Sequence, residues 1–192
     1  GRPHPGLTDT PPGAVQVSPL VPGSTDLSEI PEGSVDEAVV LAPPGTLERD
    51  HVLAQALRVL KPGGELLALA PKDRGGSRLR KALERFGCTV SETARRHHRF
   101  CHVVRPSSLV ELDAALAAGA PRLSSSLGLW TQPGVFSWDA HDAGTLLLMS
   151  VLPALKGRGA DLGCGIGLLA AERDQAIEGG PRVGDRIADK YR

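Results

Sequence analysis

The chain has 192 residues, 41% of them hydrophobic but only 3% aromatic, and its 23 glycines and 16 prolines make up about a fifth of the whole. That suits one domain or two small ones and excludes a low-complexity chain. Acidic and basic residues balance at 22 each, so no global field draws the protein onto nucleic acid, and any such contact rests on a local patch.

Residues 1–33 read as loop, because TPPG, SPLVPG and IPEG break any long periodicity. One short strand is expected at residues 15–17. The run SVDEAVVLAPPG is apolar and β-branched up to two prolines, which predicts a buried strand followed by a loop. TLERDHVLAQALRVL then places Leu47, Val52, Leu53, Ala56, Leu57 and Leu60 at helical spacing. Thr46 is the expected N-cap, with Glu48 in the first turn. KPGG stops that helix, and ELLALAP is the next strand. GGSRLRKALERFG is an amphipathic helix with Ser77 as its cap and Gly87 as its stop. CTVSETA and RFCHVV are short alternating runs that pair as a terminal hairpin. Strand, helix, strand, helix and hairpin together are the rhythm of an α/β layered domain.

Residues 106–133 read as a connector, in which the short helix SLVELDAALAAG precedes the Pro-, Ser- and Gly-rich APRLSSSLGLWTQPG. A second α/β unit follows. AGTLLLMSVLPAL is a helix, RGADLGC a strand, and GIGLLAAERDQAI the helix that the strand feeds. The tail EGGPRVGDRIADKYR is loop or frayed helix, without a second strand.

Cys88, Cys101 and Cys164 show no C-x-x-C spacing and leave one thiol unpaired, which fits a reducing cytoplasm better than a disulfide scaffold. No apolar run reaches the roughly 18 residues that span a bilayer, and no signal peptide is visible. A cytoplasmic protein without membrane association is the expectation. Because the first residue is Gly1 and not Met, the N-terminus is expected to be incomplete.

The chemistry-bearing stretch is ADLGCGIGLLA, in which Gly163, Gly165 and Gly167 alternate behind Asp161. Glycines at a strand-to-helix turn admit positive φ and remove the Cβ atoms that would hold a ligand off the backbone. The N–H groups at the helix start then face the ligand. The spacing differs from the dinucleotide fingerprint G-x-G-x-x-G, and a kinase-type G-K-[S/T] is absent. Cys164 reads as a small turn residue.

ADLGCGIGLLA resembles motif I of class I S-adenosylmethionine-dependent methyltransferases. QPGVFSWDAHDAGTLLLMSVLPALKGRGADLGCGIG resembles the start of the catalytic domain in the bacterial guanine-N2 methyltransferases that act on small-subunit ribosomal RNA. VLAPPGTLERDHVLAQALRVLKPGGELLALAPKDRGGSRLRKALERFG resembles their N-terminal domain, a degenerate, cofactor-free copy of the same fold. The resemblance implies that Gly163, Gly165 and Gly167 line the methionine end of S-adenosylmethionine with Asp161 nearby. It also implies that Phe136 and Ser137 of GVFS, with Asp142, Gly144 and Thr145 of DAGT, close over the cofactor. Without it, FSWD reads as a domain-entry loop with two aromatics capping a core, and the glycine stretch as a tight turn that binds nothing.

The chain also departs from that family. Its members hold the cofactor ribose with an acid after the second strand, where Glu178 and Asp185 fall without an apolar strand before them. They hold the target amine in an N-P-P-[F/Y] loop, and no N-P-P or D-P-P occurs here. Ala42-Pro43-Pro44 occupies the corresponding place before LKPGG, which gives two readings. In one, duplication was followed by decay. In the other, residues 36–104 are the late half and residues 134–172 the early half of a permuted fold. Family-like character fades after about Ala171.

RRHHRF, residues 95–100, gathers Arg95, Arg96 and Arg99, and Arg78 lies on the preceding helix near Arg74, Arg80, Lys81 and Arg85. These are the candidate contacts to RNA phosphates. The plain alternative is a solvated edge whose charges discourage strand pairing. His97, His98, Cys101 and His102 suit a metal by residue type, but alternation sends neighbours to opposite faces, so no metal site is expected.

The expected fold class is therefore α/β and Rossmann-like. It comprises a degenerate methyltransferase-like copy over residues 1–105, a linker over 106–133 and the opening strand–helix unit of a cofactor-binding catalytic copy over 134–192. The expected activity, in intact relatives, is methyl transfer from S-adenosylmethionine to a guanine exocyclic amine. The expected partner is ribosomal RNA or the small ribosomal subunit. The competing reading is a non-catalytic RNA-binding or interaction module made of the N-terminal domain.

Overall fold

A computed structural model of the chain describes residues 6–9, 13–17, 24–153 and 161–174. The contacts divide the chain into two compact units, Gly1–Gly119 and Ala120–Arg192.

The first unit is a four-stranded mixed sheet with helices on one face. Its elements are β1 (Val35–Leu41), α1 (Thr46–Val59), β2 (Leu60–Pro71), α2 (Ser77–Arg85), β3 (Val90–Arg95), β4 (His98–Val104) and α3 (Leu112–Gly119). The strand order is β1-β2-β4-β3. β1 and β2 run parallel, with Leu41 beside Leu69, because the 14-residue α1 carries the chain back to the starting edge. β3 and β4 form the expected hairpin, and β4 also pairs antiparallel with β2, setting Ala68 beside Cys101.

Alternation along β2 decides what is buried. Leu66, Ala68 and Ala70 face a core that they share with Leu53, Leu57, Leu79, Leu83, Cys101 and Val103. Burying each such leucine stabilises by about 1.5–3 kcal/mol relative to exposure. Leu69 points the other way, to a small cluster with Phe100 and Leu7. Val39 and Val104 remain exposed.

The second unit contains a short hairpin of β5 (Arg122–Leu123) and β6 (Trp130–Thr131), then α4 (Ala143–Val151) and α5 (Leu168–Asp174). Among the described residues its core is small: Leu127, Ile166 and Leu168 are buried, with Leu129, Val135 and Met149 packed on them.

Several local expectations are corrected. Residues 15–17 form no strand, only an isolated bridge between Val17 and Thr25. Gly45 and Gly76 occupy the N-cap positions of α1 and α2, so Thr46 and Ser77 are first helical residues and not caps. α1 does stop before KPGG, but β2 starts at Leu60, ahead of the expected ELLALAP, and runs through KPGG, with Gly63 at φ +83° and the Arg105 backbone bonded to Gly63 and Gly64. Leu47 of α1 is exposed and Arg49 is buried instead. Asp161–Cys164 is not strand, with Leu162 and Gly163 in a turn, since among the described residues no strand runs beside it to take its backbone hydrogen bonds. Residues 158–160 of the expected strand lie outside the described residues. So do residues 154–155 and 175–177 of the two expected helices, and the tail with Glu178 and Asp185.

Candidate cofactor-binding site

In the second unit, the glycine turn is built as the sequence requires. Gly163, Gly165 and Gly167 all have positive φ, at +80°, +57° and +80°. The Gly167 amide donates to the Cys164 carbonyl at 2.8 Å, which closes the turn. Ile166 and Leu168 then bury on Leu127 and anchor the start of α5.

Two segments that the sequence assigns to one site do meet. A Cβ on Gly165 would lie 2.9 Å from the Phe136 carbonyl oxygen and 3.4 Å from the Phe136 side chain. Gly165 is therefore small because Phe136 packs on it, a role that needs no ligand. Gly163 is different: a Cβ there would meet nothing within 4 Å, so its backbone is open to an incoming group. Asp161 beside it is exposed. The turn thus leaves the Gly163 backbone and the Asp161 carboxylate accessible side by side.

The remaining predicted residues are occupied with each other. Asp142 caps α4, accepting hydrogen bonds from the Thr145 amide at 2.7 Å and from its hydroxyl at 3.0 Å. A Cβ on Gly144 would come within 3.1 Å of the Asp142 carboxylate, so DAGT reads as a helix start with room left for its cap. Ser137 sits at φ +63°, and its hydroxyl donates to the Ala140 carbonyl at 2.8 Å. Thr131, which carried no signal in the sequence, is buried and donates to the Trp138 carbonyl at 2.6 Å, tying the loop to β6.

In the first unit, the basic hairpin is largely satisfied internally. Arg96 and His97 form its two-residue turn at φ +47° and +59°, the handedness that matches strand twist. Arg95 donates to the Leu7 carbonyl and stacks 4.7 Å from the Phe100 ring centroid. Arg96 donates to the Gly6 carbonyl at 2.9 Å, and Arg99 pairs with Glu92 at 3.1 Å. Arg78 lies apart from them, in a second hollow with Arg74. His102 pairs with Glu65, and Cys101 is buried on the helix side of the sheet. Among the described residues no three His, Cys, Asp or Glu side chains are placed to hold a metal. No described helix is long and apolar enough to cross a membrane.

A parallel β-α-β unit extended by an antiparallel hairpin is the arrangement of Rossmann-like methyltransferases. A solved Thermus thermophilus 16S rRNA N2 methyltransferase, in complex with AdoMet and guanosine, shares the fold at TM-score 0.51 and 24% identity, over 66% of this chain and 35% of that one. The family described as "Methyltransferase small domain" matches residues 126–179. The chain resembles the S-adenosylmethionine-dependent small-subunit rRNA methyltransferases in particular. It is 34% identical over 145 residues to ribosomal RNA small subunit methyltransferase C of Pseudomonas paraeruginosa, covering 73% of this chain. It is 27% identical to the protein of the same name from Acinetobacter baumannii over 146 residues, 74% of this chain. The chain spans 43% of the length of both relatives.

Proposed function

We propose that the chain carries part of a methyltransferase that moves a methyl group from S-adenosylmethionine to a guanine exocyclic amine of small-subunit ribosomal RNA, in the cytoplasm. The open backbone of Gly163 beside the exposed Asp161 carries this reading, because it leaves amide groups and a carboxylate free for the ammonium and carboxylate of a methionine end. Gly165, Gly167 and Phe136 give that turn its shape, and Ser137, Asp142, Gly144 and Thr145 hold the segment before it. Bound there, S-adenosylmethionine supplies an electrophilic methyl group. Nothing among the described residues replaces the N-P-P loop that would hold the amine, so cofactor binding is the part of the activity assigned to this chain. The first unit, with Arg78 and the hairpin of Arg95, Arg96 and Arg99, is assigned to RNA.

Calorimetric titration of the 192-residue chain with S-adenosylmethionine tests the reading. Micromolar binding, weakened at least tenfold by Asp161→Asn, is expected. A folded chain that takes up no S-adenosylmethionine would overturn the cofactor assignment. The second reading, a non-catalytic RNA-binding module, would then stand, favoured by the location of most of the core in the first unit.

A further inference from the structure

The carboxyl ends of the parallel strands β1 and β2 are where open α/β sheets bind their ligands. At that end the first unit has a hollow of about 260 Å³, lined by Pro44, Asp73, Arg74, Gly75, Ser77 and Arg78. Neither Arg74 nor Arg78 makes an ion pair or hydrogen bond among the described residues, and both are exposed. Ser77 and Arg78 are the first two residues of α2, whose N-cap Gly76 offers no side-chain acceptor and whose first turn contains no acid. The positive end of α2 thus meets the hollow with no side-chain cap or acid over it, the Ser77 amide being directed to the Gly75 carbonyl.

A third guanidinium stands directly behind the wall. Arg49 is 2% exposed, and its Nη1 donates to the Pro44 carbonyl at 3.1 Å. Gly75, at φ +93°, lies so close that a Cβ would come within 2.9 Å of that nitrogen. The Arg49 Nε makes no hydrogen bond among the described residues and faces the Asp50 carboxylate at 3.9 Å. Burial holds Arg49 below the usual guanidinium range, and the like charge of Arg78 pushes the same way against the pull of Asp50. Gathering these charges costs free energy that an anion would recover. Asp73 is the one opposing charge on the rim, and it leaves the hollow net cationic.

We propose that this hollow seats a phosphate group, held by Arg74 and Arg78 over the N-terminus of α2 with Arg49 behind it. Two sources share the chemistry, an RNA backbone or a free phosphate compound, and the RNA source rests on the RNA reading above. Ala42 fits a change of use at this end of the sheet: it is buried at 3% in the core, where an amide side chain holding a target amine has no place.

The test uses the full chain, a labelled single-stranded RNA oligonucleotide and, separately, inorganic pyrophosphate followed by the NMR shifts of the Gly75, Gly76 and Ser77 amides. Arg74→Gln with Arg78→Gln is compared with Lys61→Gln, which removes a charge of the same unit that is already paired with Asp36 at 2.6 Å. Expected is a log K versus log salt slope shallower by about 1 in the double variant and unchanged in Lys61→Gln. Amide shifts with pyrophosphate that the double variant abolishes, in a chain that binds no RNA, would uphold the seat and assign it to a free phosphate compound, and the RNA reading alone would fall. Salt slopes indistinguishable among all three proteins, with no amide shift from pyrophosphate, overturn the proposal.

Discussion

At the scale of single residues, the three cysteines separate by environment. Burial pushes the Cys88 thiol up to about 11, and burial followed by the nearby Glu92 charge pushes Cys101 up to about 12, while Cys164 is exposed. Both shifted thiols stay protonated in the folded chain at a pH where an unfolded chain, with pKa near 9.0, releases the proton. The folded state then binds more protons, so stability falls as pH rises. The contribution is fully present below about pH 9 and is lost through the range from 9 to about 11 or 12. Urea midpoints should hold steady from neutral pH to the upper eights and decline above 9, by at most about 1.4 kcal/mol per pH unit for each thiol. Cys101→Ala should remove about half of the decline; a variant that declines as steeply as the parent would assign the loss to other groups.

At the scale of elements, α3 shows how close packing fixes a small residue. A Cβ on Gly119 would fall inside the His51 side chain of α1, and the His51 ring nitrogen Nδ1 meets the Leu116 carbonyl of α3 at 2.9 Å. Gly119→Ala gains helix propensity of under about 1 kcal/mol, but the overpacking costs about 1–3 kcal/mol, so net destabilisation is expected in chemical denaturation followed by circular dichroism. A midpoint equal to the parent's would mean that α1 and α3 separate easily. Elements such as β1, α1, β2, α2 and the hairpin were legible in the sequence because each apolar run finds its partner within this chain. The segment DLGC was not, since a strand is defined by neighbours and not by its own residues. Arg49 was illegible for a related reason: its burial depends on the Pro44 carbonyl and on Gly75 arriving from another loop. The hairpin arginines were legible as a basic cluster, but two of their acceptors, Gly6 and Leu7, lie about ninety residues earlier in the chain.

At the scale of the molecule, the two units are unequally stabilised. Among the described residues the first buries a continuous cluster from Ala42 to Ala115, whereas the second buries Leu127, Ile166 and Leu168. α4 of the second unit also leaves Leu146, Leu147, Leu148 and Val151 exposed at 45%, 67%, 44% and 69%, so most of its apolar surface gives no stabilisation within the chain. Small clusters of this kind seldom supply more than a few kcal/mol, and the units should therefore lose structure at different denaturant concentrations. The two tryptophans offer a direct readout, because Trp130 and Trp138 are the only ones in the chain and both lie in the second unit. Trp138 is held under Arg122, whose guanidinium carbon lies 5.2 Å from the ring centroid, so local unfolding changes its emission. Far-ultraviolet dichroism, by contrast, reports mainly the longer helices and strands of the first unit. Tryptophan emission should thus change at lower urea than the dichroism. Coincident transitions would mean that the chain unfolds in one cooperative step, and that the second unit draws its stability from outside its own small core.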